Sequence, residues 1–204
     1  MKYFILISFL FLFTGKTLPQ NNWQISISSG AISPEFLIDS PLGYQFEGRI
    51  FYEIFDSIQI SISAGFQSWK EAIGFGGNKF KTIPLLAGIK QSFPLGLFAP
   101  YFSGELGVHF ITREYIFQTY EPSERFEFLY SLVSSSPAKE SVTKFALAIS
   151  IGSTLSINKF LDLDMRIKYN NISYDFIYIY HPTSLTSSGK INFYSLLLGL
   201  NYKL

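Results

Sequence analysis

The chain has 204 residues, room for one domain. Aromatics make up 18% of it and charged residues 15%, with a net charge of +1 at pH 7, which excludes both a basic nucleic-acid binder and a disordered, highly charged chain. Cysteine is absent, so there is no disulfide framework, no thiolate metal site and no cysteine for N-terminal lipidation.

Met1 to about Gln20 reads as a secretory signal peptide, with Lys2 as its positive start and Tyr3 to Phe13 as an apolar stretch too short to span a membrane as a helix. The mature domain is then 21–204. No other segment is a candidate membrane helix, yet mean hydropathy is positive at +0.22. Apolar residues must be distributed over alternating strands.

In chain order, a first strand is expected over Trp23 to Ala31, with Trp23, Ile25 and Ile27 on one face and Gln24, Ser26 and Ser28 on the other. Ser33 to Pro41 reads as a loop. A second strand, Tyr44 to Phe55, sets Tyr44, Phe46, Ile50 and Tyr52 against Gln45, Glu47, Arg49 and Glu53, and Asp56-Ser57 is a tight turn. The third strand runs from Ile58 to Gln67. Trp69 to Phe80, with Gly74, Gly76, Gly77 and Asn78, is expected to be a loop. The fourth strand, Lys81 to Phe93, contains Pro84, which should mark a bulge or a strand start.

After the turn Pro94-Leu95-Gly96, a fifth strand, Leu97 to Ile111, places Phe98, Phe102, Leu106 and Phe110 opposite Tyr101, Ser103, Glu105 and His109. Thr112 to Thr143 lacks alternation and reads as a long aromatic and acidic loop. The sixth strand, Lys144 to Asn158, and the seventh, starting at Leu161, alternate again, the seventh setting Leu163, Met165, Ile167 and Tyr169 against Asp162, Asp164, Arg166 and Lys168. Ser173 to Gly189 is the last loop. In the eighth strand, Ile191 to Leu204, residues Tyr194, Leu196, Leu198, Leu200, Tyr202 and Leu204 share one face up to the last residue of the sequence.

The terminal run Gly199-Leu200-Asn201-Tyr202-Lys203-Leu204 resembles the C-terminal signature of bacterial outer-membrane β-barrel proteins, and the texture of Ile83 to Gly88, Pro100-Tyr101 and Gly104 to Gly107 resembles the small OmpA-like and OmpX-like barrel domains. This resemblance implies that Gly199, Leu200, Tyr202 and Leu204 act as an assembly signal read by the insertion machinery. The partners it implies are outer-membrane lipid and that machinery.

The residues point the same way. Eight strands with short turns after the second, fourth and sixth and long loops after the others make a closed, all-β, antiparallel up-and-down barrel with both termini and the short turns periplasmic and the long loops extracellular. No apolar face carries a charge, as lipid demands. A soluble, lipocalin-like barrel would instead turn the apolar face inward. Trp23, Tyr44, Tyr52, Tyr169, Tyr194 and Tyr202 fall where aromatic girdles belong.

The inward face gathers Glu47, Glu53, Glu105, Asp162 and Asp164 with Arg49, Lys90, Lys144, Arg166, Lys168 and Lys203, and is expected to form a salt-bridged plug rather than an ion path. The functional reading is a non-enzymatic outer-membrane barrel with a structural or surface-contact role. The alternative is a lipid-modifying enzyme, for which His109 and His181 are the available bases; a pore is disfavoured by lumen size. No catalytic set, cofactor site or metal site is expected. Beyond the seventh strand, Tyr174, Phe176, Tyr178 and Tyr180 continue the alternation with apolar residues on both faces, so Ser173 to Tyr180 is expected to rise above the membrane and pack on the Tyr115 to Tyr130 segment, where the two segments either simply bury each other or offer an edge to a surface protein or ligand.

Overall fold

In the computed structural model, residues 22–34, 42–73, 76–123, 126–180 and 183–204 are described, with side chains described outside 34, 71–78, 115–137 and 174–190. Eight strands follow one another: β1 (Trp23–Pro34), β2 (Gly43–Phe55), β3 (Ile58–Ile73), β4 (Gly76–Ser92), β5 (Phe98–Ser123), β6 (Phe126–Ser156), β7 (Leu161–Tyr180) and β8 (Thr183–Lys203). Each pairs antiparallel with its sequence neighbours, and β8 returns to β1 to close the barrel. In that seam Gln24 faces Lys203 and Ile27 faces Leu200, and the Leu204 amide donates to the Trp23 carbonyl at 3.0 Å.

Closure leaves no open edge inside the membrane, where an unpaired amide has no water to turn to. The faces sort by solvent. Ile27 (71% exposed), Ile62 (64%) and Ile151 (75%) belong to an outward apolar belt, while Gln45, Glu47, Arg49, Lys168 and Asn170 are buried inside. An apolar exterior around a polar interior is the reverse of a soluble barrel, and the lipocalin-like alternative falls with it. Four of the girdle positions pack in pairs, Trp23 with Tyr52 (4.8 Å between rings) at the periplasmic end and Tyr169 with Tyr194 (5.1 Å) at the other.

The periplasmic turns are built from local chemistry. Ser57 takes φ 72° in the β2–β3 turn, where its amide donates to Glu53 Oε1 at 3.1 Å. In the β6–β7 turn Asn158 Oδ1 accepts from the amides of Phe160 and Leu161, both at 2.9 Å.

The other end differs from the sequence reading. Trp69 to Phe80 is not a loop: β3 continues to Ile73, β4 begins at Gly76, and Trp69 and Phe80 are cross-strand partners. Thr112 to Thr143 is likewise a hairpin, paired from Thr112 with Ser141 to Ser123 with Phe126, with two register shifts near its tip. Ser173 to Gly189 is a second hairpin, paired out to Tyr180 with Thr183. Pro84 is neither a strand start nor a bulge. It lies inside β4, opposite His109, and the β3–β4 ladder loses its rungs between Ala64–Leu85 and Gln67–Thr82 without changing register, as a residue without an amide proton requires.

The two long hairpins outrun their neighbours. Pairing of β5 with β4 ends at Glu114 with Lys79, and pairing of β6 with β7 ends at Ala146 with Ile172, so beyond these points the β5–β6 hairpin pairs only with itself.

A closed barrel of this kind keeps its shape in detergent until heated, so the purified protein should migrate differently on gels when unboiled; identical mobility would count against closure. Ile149→Lys, which puts a charge on the lipid face beside Gly104, should cost about 2–4 kcal/mol of unfolding free energy in bilayers.

Candidate functional site

The alternation of β2, β5 and β7 delivers charged side chains into one level of the lumen. Glu47 is the hub. Its Oε1 accepts from Arg49 Nη2 and Arg166 Nη2, both at 2.6 Å, and its Oε2 accepts from Lys168 Nζ at 2.9 Å and Gln45 Nε2 at 3.0 Å. Glu105, from the opposite wall, makes ion-pair contacts with Arg49 Nη2 at 2.6 Å and Lys168 Nζ at 2.5 Å. Arg166 also donates to Asp164 Oδ2 at 2.6 Å and to Ser28 Oγ at 2.8 Å, and the Tyr101 hydroxyl donates to Asp164 Oδ1 at 2.7 Å. Three carboxylates thus meet three cations, all buried. Charges taken out of water persist only in such matched sets.

Two glycines make the space. A Cβ on Gly88 would meet the Glu105 side chain at 2.6 Å, and one on Gly152 would meet the Tyr101 ring at 2.7 Å.

Lys90 lies below this cluster with its ammonium 4.9 Å from the Phe51 ring centre and 4.3 Å from that of Tyr101. Nearest the periplasm, Asp162 pairs with Lys203 at 2.8 Å and accepts from Ser156 Oγ at 2.9 Å. Two expected members of the network lie toward the two ends of the lumen. Glu53 lies at the periplasmic rim and holds its own turn through Ser57, and Lys144 is half-buried at the other end, on the rung facing His109. Alternation gives the face of a residue but not its height in the barrel, which is why the sequence grouped all eleven.

Above the charges the lumen is closed by an apolar plug that the sequence reading missed, made of Ile32, Trp69, Phe80, Ile111, Ile172, Ile191 and Phe193, with the Trp69 ring 5.3 Å from Phe80 and 5.0 Å from Phe193. Its signal is a reversal of polarity. Past Ser68 and before Thr82 the inward positions become apolar (Trp69, Phe80) and the outward ones polar (Lys70, Lys79, Lys81). His109 is buried beneath this plug, its Nδ1 3.2 Å from Thr82 Oγ1. His181 lies outside the described residues, and among the described residues no group of three His, Cys, Asp or Glu is placed to hold a metal.

Of the terminal strand, Leu200, Tyr202 and Leu204 face outward and Gly199 faces inward against Ser28. Tyr174, Phe176, Tyr178 and Tyr180 lie on the β7 side of the second hairpin; their side chains, and any packing of this segment on Tyr115 to Tyr130, fall outside the described residues.

Glu47→Gln leaves three buried cations short of a partner and should lower stability by about 3–5 kcal/mol, whereas Glu53→Gln at the rim should change it by no more than about 0.5 kcal/mol; urea unfolding in lipid vesicles measures both.

No family description matches the chain, and no curated protein does. Solved structures do. Neisserial surface protein A is 14% identical, covering 89% of this chain and 97% of its own, with a TM-score of 0.58. The attachment invasion locus protein of Yersinia pestis is 15% identical, covering 91% and 100%, with a TM-score of 0.51. The outer membrane protease OmpT of Escherichia coli is 11% identical, covering 94% and 99%, with a TM-score of 0.50. At these identities the likeness is one of fold. Joined to the closed sheet, the lipid-facing belt and the polar lumen, it makes this chain a small eight-stranded β-barrel of the bacterial outer membrane.

Proposed function

We propose that the protein is a non-enzymatic outer-membrane barrel that acts by surface contact through its two tall hairpins, with the barrel as their anchor. The observation that carries this reading is the pairing pattern. β6 runs from Phe126 yet meets β7 only from Ala146 onward, and β7 runs to Tyr180 yet meets β6 only as far as Ile172. Each hairpin therefore raises strand edges above the membrane that no described strand pairs with. An unpaired edge in water is a template for another strand, and adding one supplies backbone hydrogen bonds at once.

The shared fold does not choose among functions, since its neighbours include a surface protein, an attachment protein and a protease. The lumen gives no support to chemistry at the surface: its histidine is sealed under the plug and its carboxylates are held by cations.

Deleting Phe176–Ser187 should leave a barrel that inserts and remains heat-modifiable but loses a surface partner captured by cross-linking on intact cells. Unchanged cross-links after this deletion and after removal of 116–137 would sink the contact reading. Planar-bilayer recordings of the intact protein should show no steady ion current, because plug and charge cluster lie in series across the lumen.

A further inference from the structure

The outer face of the barrel is not uniform around its extracellular margin. On β4, Ile83 is the last exposed apolar residue, and the next outward positions are Lys81 and Lys79. Lys79 faces Lys70 on β3 and Glu114 on β5, and Glu114 in turn faces Lys139 on β6. Lys70, Lys79, Glu114 and Lys139 therefore form one row across four strands, about 14 Å wide at the usual strand spacing. Lys81 joins from below, its ammonium 2.7 Å from Glu114 Oε1. That hydrogen bond, with the nearby charges of Lys79 and Lys139, holds the Glu114 carboxyl below its ordinary range, so one carboxylate is shared among several lysines. Four cations against one anion leave a net charge of +3 on the wall.

Among the described side chains, the opposite wall has nothing comparable. At the same margin its described outward side chains are Ser33, Tyr44, Asn171, Ser173, Asn192 and Tyr194. Lys70 directly opposite Lys79 is also an arrangement that costs stability in a bare sheet. The level is specific: at about 3.3 Å per residue, Lys81 and Lys79 lie about 7 and 13 Å along the strand from Ile83, the depth at which a tilted strand passes the headgroups. Beneath the row the wall is apolar, with Ile83, Leu85, Phe110 and Phe145 exposed.

We infer that Lys70, Lys79, Lys81 and Lys139 form a site for the phosphate-bearing headgroup of an outer-leaflet lipid, whose acyl chains lie down the β4–β6 wall. A soluble anion would use the cations alone. The apolar surface running on directly below them selects an amphiphile. This inference does not rest on the hairpin contact proposed above: the row lies at the foot of the β5–β6 hairpin and on the wall beside it, and it faces the membrane margin.

The test is native mass spectrometry of the folded full-length barrel in zwitterionic detergent, with bis-phosphorylated lipid A, its dephosphorylated form and phosphatidylglycerol as probes. A phosphorylated lipid should be retained at one per barrel and its dephosphorylated counterpart should not. A lysine beside an anionic lipid surface is worth about fivefold in affinity, so Lys70→Gln, Lys79→Gln and Lys139→Gln together should weaken retention roughly a hundredfold. The triple Lys→Arg variant should restore it. An unboiled gel shift certifies that each variant is folded. Equal retention by wild type and the glutamine variant, or equal retention of the dephosphorylated lipid, overturns the proposal. So does protection of the row by inorganic phosphate or heparin at concentrations where no lipid is held.

Discussion

Everything in this molecule follows from the absence of water to hydrogen-bond a backbone in hydrocarbon. A sheet that crosses a membrane must pair every strand on both sides, so the chain has to bring β8 back to β1, and the pairing of Ile27 with Leu200 is as necessary as any hairpin. Closure at eight strands leaves a lumen that side chains fill, and the residues pointing into it cannot be apolar and still alternate against a lipid-facing row. The polar interior is thus forced, and so is its self-neutralisation. Glu47 between Arg49, Arg166 and Lys168 solves that problem by tying β2 to β7 across the lumen, while Glu105 ties in β5.

The same rule explains why the barrel turns itself inside out along its own axis. Within the belt, oil is outside and polarity is inside. Where the strands leave the hydrocarbon, water surrounds them and ordinary globular packing resumes: Trp69, Phe80, Ile111, Ile172 and Phe193 turn inward, and Lys70, Thr112, Asn171 and Asn192 turn outward. The Asn171 amide nitrogen donating to Asn192 Oδ1 at 2.7 Å marks that level on the β7–β8 wall. The plug is a small soluble-type core set on top of a membrane barrel, and it closes the lumen as a by-product.

How much of this is legible in the sequence depends on solvent contrast. Between oil and a polar lumen, alternation is strong, and the spanning parts of all eight strands, their facing and the three short turns are readable from it. Above the membrane the alternation persists but its sign reverses, as at Trp69 and Phe80, or both faces become mixed, as from Thr112 to Thr143, and a strand looks like a loop. The lumen site was legible as a set of residues and not as a geometry. Sequence parity puts Glu53 and Glu47 on the same face, yet six residues of strand separate a rim carboxylate bonded to a turn amide from the hub of the buried cluster. Pairs such as Tyr101 with Asp164, from walls 63 residues apart in sequence, depend on barrel closure and cannot be read from spacing.

The barrel's asymmetry gives the surface features a common frame. The β5–β6 hairpin is the tallest element, and it loses β4 as a neighbour at Lys79–Glu114. That is the row on which the outward cations collect, with Lys139 on the hairpin itself and Lys70 and Lys79 on the wall it leaves. A hairpin that departs from a closed sheet has no further backbone partner to fix its direction, so its inclination is set at the last rung it shares. Lysines on both sides of that rung give an anionic headgroup layer a purchase on both the hairpin and the wall. On the two roles proposed above, the lipid surface is part of what holds the β5–β6 hairpin upright, and the charge pattern of the wall and the height of the hairpin are two sides of one design.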